Sequence, residues 1–181
     1  MLRQLITRPG RALVASEGMK LLSVLRHAKS SWKEGPLEDH DRPLNARGVR
    51  DAPRIGALIL EERLRPDIIL ASSAVRARET ALAVAGRIGF PEEVRLLRQL
   101  YLAEPGAYLE SLRSLASTVG HAMVVGHNPG VENLVSEWTC GSHAMPTAAL
   151  AVLEVPVESW SEVSLERSAR LRGLWTPRDL D

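Results

Sequence analysis

The chain has 181 residues, 45% hydrophobic and 25% charged, the balance of one globular domain with a sizeable core. A formal net charge of +1 gives no general pull on nucleic acid or anionic membrane, and 4% aromatic residues give no stacking platform for bases. No apolar run is long enough to cross a bilayer, and the single Cys140 excludes an internal disulfide framework and fits a reducing, cytoplasmic setting.

Residues 1–18 contain Arg3, Arg8 and Arg11 and no acid before Glu17, without the long apolar centre of a secretory signal. They read as a poorly ordered N-terminal extension, with an Arg-rich targeting segment as the other reading, and residues 19–181 read as a single domain. The first strand-like run, 21–26, ends on Arg26, His27 and Lys29. "DHDRPLNARG" follows, with Asn45 as the expected cap of a helix on which Ala52, Ile55 and Ile59 share a face. Pro53 lies inside that pattern and predicts a kink or a break. A second strand over 67–70 leads into "SSAVRARET", where Ser73 is the expected N-cap and Ala77, Ala81, Val84 and Ile88 form an apolar stripe.

A third strand is expected over 93–97, and a helix carrying Leu109, Leu112 and Ala116 follows. The fourth strand, 121–126, runs into "GHNPG", with Asn128 as expected N-cap, Pro129 at the first helical position, and a helix with Val131, Leu134 and Trp138 on one face. Segments 147–155 and 168–175 read as a final pair of strands. Alternation of strand and helix predicts a three-layer α/β/α fold around a mainly parallel sheet.

In open α/β sheets, ligands bind beyond the carboxyl ends of the strands, and three polar motifs fall there: Arg26-His27, "SSAVRARET" and "GHNPG". Arg76 in a first helical turn opposes the helix dipole, at a modest cost that a bound anion would reverse. His127 stands at a helix N-terminus, itself suited to anions. Arg42 is a further arginine that can reach the same cleft. Two histidines and two or three arginines, with no acid cluster close in sequence, suit a phosphoryl dianion: guanidinium forks match its oxygens in pairs, and fixed cations stabilise charge spread over the transferring group. Cys140 lacks the loop of a cysteine-dependent phosphatase, and no P-loop is present. Histidine remains as a nucleophile, kept neutral by neighbouring arginines. Spacing leaves open which histidine attacks.

"LRHAKS", "DRPLNARG", "SSAVRARETA" and "VVGHNPG", in this order, resemble the signatures of the histidine phosphatase superfamily, and most closely its small SixA-type phosphohistidine phosphatases. The resemblance runs from about Met19 to the C-terminal strands, and departs from the usual pattern at Ala28, where glycine is common. It implies a mainly parallel mixed sheet of the phosphoglycerate mutase-like fold. It implies His27 as the catalytic nucleophile, and Arg26, Arg76 and His127, with Arg42, as the phosphate-binding residues. It implies no cofactor and no metal. The general acid of larger members falls in "RLLRQLYLAEPG", where Glu104 is the nearest acid and Gln99 or Tyr101 can hold the aligned position.

A phosphorylated imidazole leaves more readily than an alkoxide, so weak acid equipment favours a phosphoramidate substrate. The expected activity is metal-independent removal of a phosphoryl group from protein phosphohistidine through an intermediate on His27, with a phosphotransfer domain or carrier protein as partner. A small-molecule phosphomonoesterase and a non-catalytic phosphate-binding module are the other readings. Cys140 and His143 offer too few ligands for a metal. Lys29 and Trp32 read as steering and cleft-lining residues or as solvated ones, Thr147 as facing the site by resemblance, and His40 and His121 as structural or solvated.

Overall fold

The computed structural model describes residues 18–32 and 37–180, so the expected extension at 1–18 lies, but for Gly18, outside the described residues. Six strands form one sheet: β1 (Lys20–Arg26), β2 (Ile68–Ser72), β3 (Arg95–Leu97), β4 (His121–Gly126), β5 (Leu150–Val155) and β6 (Arg170–Trp175). Their order is β3-β2-β4-β1-β5-β6. β3, β2, β4 and β1 pair in parallel, and β5 runs antiparallel to both its neighbours.

Among the described residues, four α-helices cover the sheet: α1 (Ala46–Glu61), α2 (Val75–Ile88), α3 (Pro105–Arg113) and α4 (Gly130–Trp138). The central strands alternate their side chains between two cores. Leu22 and Val24 of β1 and Ala122 and Val124 of β4 join Leu109 and Leu112 of α3 and Leu134 and Trp138 of α4. Leu25, Met123 and Val125 point the other way, onto Ile55 and Ile59 of α1 and Ala77, Ala81 and Val84 of α2. Burial on both faces is why these strands read as continuous apolar runs.

Three local expectations are corrected. α1 runs unbroken through Pro53, so the expected break does not occur; the proline lacks only the N–H that would reach the carbonyl of Val49, an exposed residue. Ala74, not Ser73, precedes α2, because Ser73 is engaged elsewhere: its amide donates to the Leu97 carbonyl and its hydroxyl pairs with His40. Asn128 does not cap α4. Pro129 stands at that position, and the Asn128 amide donates to Glu132 and to the Met145 carbonyl; the Asn128–Pro129 peptide is cis. Asn45 does cap α1, accepting from the Gly48 amide at 3.0 Å. His121 is structural: it is buried against the Ser23 hydroxyl at 2.9 Å, and burial pushes its pKa down to about 4.

The start of α4 is packed without slack. A methyl group on Gly130 would meet the carbonyl oxygen of Ala103, a backbone atom with no freedom to swing aside. Gly130→Ala is expected to destabilise the fold by about 1–3 kcal/mol in urea denaturation. Gly86→Ala, where the added atom meets nothing within 4 Å, serves as the tolerated control.

Candidate active site

Strand register builds the site. Arg26 and Gly126 are partners at the ends of β1 and β4, so the next residue on each strand is a histidine. His27 and His127 are both buried, with ring centroids 4.9 Å apart. Ser72 ends the neighbouring β2, and its hydroxyl lies 2.8 Å from His127 Nε2. Gly126 admits Tyr108 against the backbone, whose hydroxyl accepts from the His127 amide at 3.4 Å.

The two imidazoles are held differently. His27 Nδ1 lies 2.7 Å from the Ala28 carbonyl, which can only accept, so Nδ1 carries the hydrogen and Nε2 carries the lone pair. The Ala28 amide is itself anchored to Thr80 Oγ1 at 3.0 Å, and Thr80 donates to the Arg76 carbonyl. At His127, Ser72 Oγ already accepts from the Ala74 amide and retains its own hydrogen to give. Nε2 of His127 can accept that hydrogen, and in this tautomer Nδ1 carries the N–H, a buried atom with no hydrogen-bond partner among the described residues. Arg26 Nε is a second buried group without one, while Arg26 Nη1 donates to the Met145 carbonyl at 2.8 Å. Buried donors without partners are rare, and two at paired strand ends suit an incoming oxyanion.

Both histidines are uncharged at neutral pH. Burial, with the Arg76, Arg26 and Arg42 cations adding to it, lowers His27 to about 4 despite the Ala28 bond. Burial, with His27 and Arg76 next, lowers His127 to about 3. The cause foreseen from sequence, neighbouring arginines, is present but second to desolvation.

The arginines are immobilised by a residue that sequence reasoning passed over. Asp39 Oδ2 accepts from Arg76 Nη2 at 2.8 Å and from the Tyr101 hydroxyl at 2.8 Å, and Oδ1 accepts from Arg42 Nη1 at 2.7 Å. Arg76 Nη1 also donates to the Asp39 carbonyl. Arg42 further donates to the Ser31 carbonyl and to Ser30 Oγ, and Trp32 covers its guanidinium at 3.2 Å from the ring centroid. A site expected to hold no acid cluster therefore holds one carboxylate among its cations. Its only sequence signal was position, three residues before Arg42.

Tyr101 reaches the site, its ring edge-on to His127 at 5.6 Å and to His40 at 5.0 Å. Glu104 is the exposed residue preceding α3 and makes no side-chain capping bond. Gln99 turns to Ser111, at 3.4 Å. Thr147 accepts from the exposed Arg47 at 3.3 Å. Among the described residues, no group of three or more His, Cys, Asp or Glu side chains gathers as metal ligands, and no helix is long and apolar enough to cross a membrane.

Residues 22–104, which contain Arg26, His27, Arg42 and Arg76, match the histidine phosphatase superfamily, branch 1. An uncharacterized protein of Mycobacterium tuberculosis (strain ATCC 25618 / H37Rv) is 34% identical over 167 residues, covering 85% of this chain and 100% of that protein. A crystal structure from Agrobacterium tumefaciens, which carries the provisional name phosphohistidine phosphatase SixA, is 30% identical and superposes with a TM-score of 0.73 over 87% of this chain and 98% of that one. The protein histidine phosphatase SixA complexed with tungstate shares the fold, with a TM-score of 0.75 at 19% identity over 89% of this chain and 99% of that one. The sheet is thus that of the phosphoglycerate mutase-like fold, and the chain belongs to the histidine phosphatase superfamily, in its small SixA-type group of phosphatases.

Proposed function

We propose that this phosphatase removes the phosphoryl group from phosphohistidine on a protein, through a covalent intermediate on His27. The observation that carries this reading is Nε2 of His27, to which no described residue hydrogen-bonds. Its ring is held by the Ala28 carbonyl and kept neutral by burial, and it faces a neighbour, His127, at 4.9 Å.

Nε2 attacks phosphorus, the bond to the leaving nitrogen breaks, and the phosphoryl group rests on His27. Arg26 and Arg76 neutralise the equatorial oxygens and the uncharged His127 contributes a hydrogen bond, with Arg42 behind them. Water then attacks the phosphorylated His27. The imidazole leaves as a neutral ring, because Nδ1 keeps its hydrogen against the Ala28 carbonyl throughout. No metal enters these steps, since the guanidiniums supply the positive charge. The partner is a phosphorylated protein such as a phosphotransfer domain or a carrier protein. Glu104, exposed at the start of α3, is not needed as a general acid for a nitrogen leaving group.

Wild-type protein given a phosphohistidine protein is expected to release inorganic phosphate, with chelator leaving the rate unchanged. His27→Ala is expected to lose about 1000-fold or more in kcat/KM. Rapid quenching is expected to trap an acid-labile, base-stable phosphoenzyme in wild type alone. Turnover of small phosphate esters with none of phosphohistidine would instead establish a phosphomonoesterase. Binding without turnover would establish a recognition module.

The neutral histidines also set the pH dependence. The pKa of His27 is lowered in the folded protein, so its lone pair is available above the lowered value and is lost as pH falls through about 4. The acid limb of kcat/KM against 4-nitrophenyl phosphate, which reports the free enzyme, is expected near pH 4–5, after correction for substrate ionisation. A limb near the ordinary histidine value of about 6.5 would contradict the buried, neutral nucleophile.

A further inference from the structure

Asp39 grips two of the site's arginines, and the proposed turnover gives it no task. Its side chain is 42% exposed, so it stands at the rim, while the Arg76 side chain that it grips is only 4% exposed. Three donors take up part of its carboxylate: Arg42 on Oδ1, and Arg76 and Tyr101 on Oδ2. A carboxylate has about four lone-pair positions, so Oδ1, which takes one of these donors, keeps an acceptor position. We propose that Asp39 determines leaving-group specificity: its carboxylate accepts the distal ring N–H of a substrate phosphohistidine and holds that imidazole in the protonated form that departs. This inference rests on the phosphohistidine reading.

The chemistry follows from what Asp39 cannot do. Burial alone would raise its pKa, but the bonds from Tyr101, Arg42 and Arg76 outweigh this and hold the carboxyl well below the usual carboxylate range. It therefore has no proton to give an alkoxide at neutral pH. The Tyr101 hydroxyl directs its hydrogen onto Asp39, and burial with the Asp39 charge raises the Tyr101 pKa. His40, beside Tyr101, is engaged at both nitrogens, by Asp41 at 3.0 Å and by Ser73 at 2.9 Å. The rim is thus a place to receive an N–H.

A phosphohistidine protonated on its distal nitrogen arrives with that N–H. When His27 Nε2 bonds phosphorus, the scissile N–P bond breaks and its electron pair returns to the substrate ring. The ring leaves as neutral imidazole, its N–H still on Asp39, and no proton has to be delivered. The Ala28 carbonyl performs the same service for His27 in the second step, by holding the Nδ1 hydrogen. The nearby Arg42 and Arg76 cations disfavour a cationic substrate ring, and Asp39 opposes them locally. Its charge is felt as far as His127, whose pKa it raises against the dominant burial.

The test compares wild type, Asp39→Asn and Asp39→Glu on two probes, 1-phosphoimidazole and 4-nitrophenyl phosphate. The phenolate of the second needs no N–H contact, so this probe reports damage to the shared arginines. Asp39→Asn is expected to lower kcat/KM for phosphoimidazole about 10–100-fold more than for the phenyl ester, the worth of one charge-assisted hydrogen bond. The alkaline limb of kcat for phosphoimidazole is expected to move down by about one pH unit, because the bound ring loses the carboxylate that kept it protonated. Asp39→Glu is expected to restore part of both effects, and melting curves confirm that each variant is folded.

Equal losses on the two probes, with an unmoved limb, would overturn the inference and leave Asp39 as a brace for the arginines, with the phosphohistidine reading intact. A wild-type enzyme that hydrolyses only the phenyl ester would overturn that reading and this inference together. Should Asp39→Asn fail to fold, Asp39→Glu and Asp39→Ser, measured against each other, give the same two ratios.

Discussion

The parallel pairing of β1 with β4 is the constraint on which the site depends. Its register sets Arg26 against Gly126, and both chains leave the sheet at the same level. Each next residue is a histidine, so two imidazoles separated by a hundred positions in sequence become neighbours at 4.9 Å. A shift of one residue would send the alternating side chains of β1 to the opposite cores, which the Leu22/Val24 and Leu25 division forbids. The same packing that stabilises the fold therefore fixes the geometry of the candidate site, and the neighbouring β2 adds Ser72 and, through α2, Arg76.

What this geometry costs is polar burial. Arg26 Nε and His127 Nδ1 are buried without partners, a penalty of about 1–3 kcal/mol for each group. An apolar core of the same volume would avoid it. In the proposed reaction that penalty is pre-organisation, because a tetrahedral oxyanion would satisfy these groups without first displacing other partners. The guanidiniums of Arg42 and Arg76 are arranged otherwise. Backbone carbonyls, a serine and one carboxylate fix them, so they lose little freedom when an anion arrives.

Much of this was legible in the sequence, for physical reasons that also mark its limits. Central strands buried on both faces read as apolar runs, and helices that cover the sheet read as stripes such as Ala77, Ala81, Val84 and Ile88. Those signals located every strand to within a few residues. The motif residues were legible because charged groups at strand ends serve no packing need. Contacts made between distant segments were not. Ser73 and Asn128 have the chemistry of caps, and lost that role to His40 and to Met145 and Glu132, partners that only the fold supplies. Asp39 opens a charged 3-10 turn with His40 and Asp41, where nothing local separates a carboxylate that grips two arginines from one that faces water. Tyr101 was readable only as one of three residues at an aligned position, and its bond to Asp39 distinguishes it from Gln99 and Glu104.

The two histidines could not be told apart by spacing, yet their surroundings give them different chemistry. A backbone carbonyl can only accept, so it fixes His27 as an Nδ1–H tautomer and leaves Nε2 with the lone pair that the proposed attack requires. A hydroxyl can donate or accept, so Ser72 leaves His127 able to adjust, and Ser72 occupies the nitrogen that would otherwise be nucleophilic. Burial keeps both rings neutral, and neutrality alone would make either of them a competent base or nucleophile. The division of labour proposed here thus comes from the partner of each ring: a carbonyl behind one, a hydroxyl behind the other. The departure from glycine at Ala28 leaves it untouched, since the group that orients His27 is a backbone oxygen that every residue at that position provides.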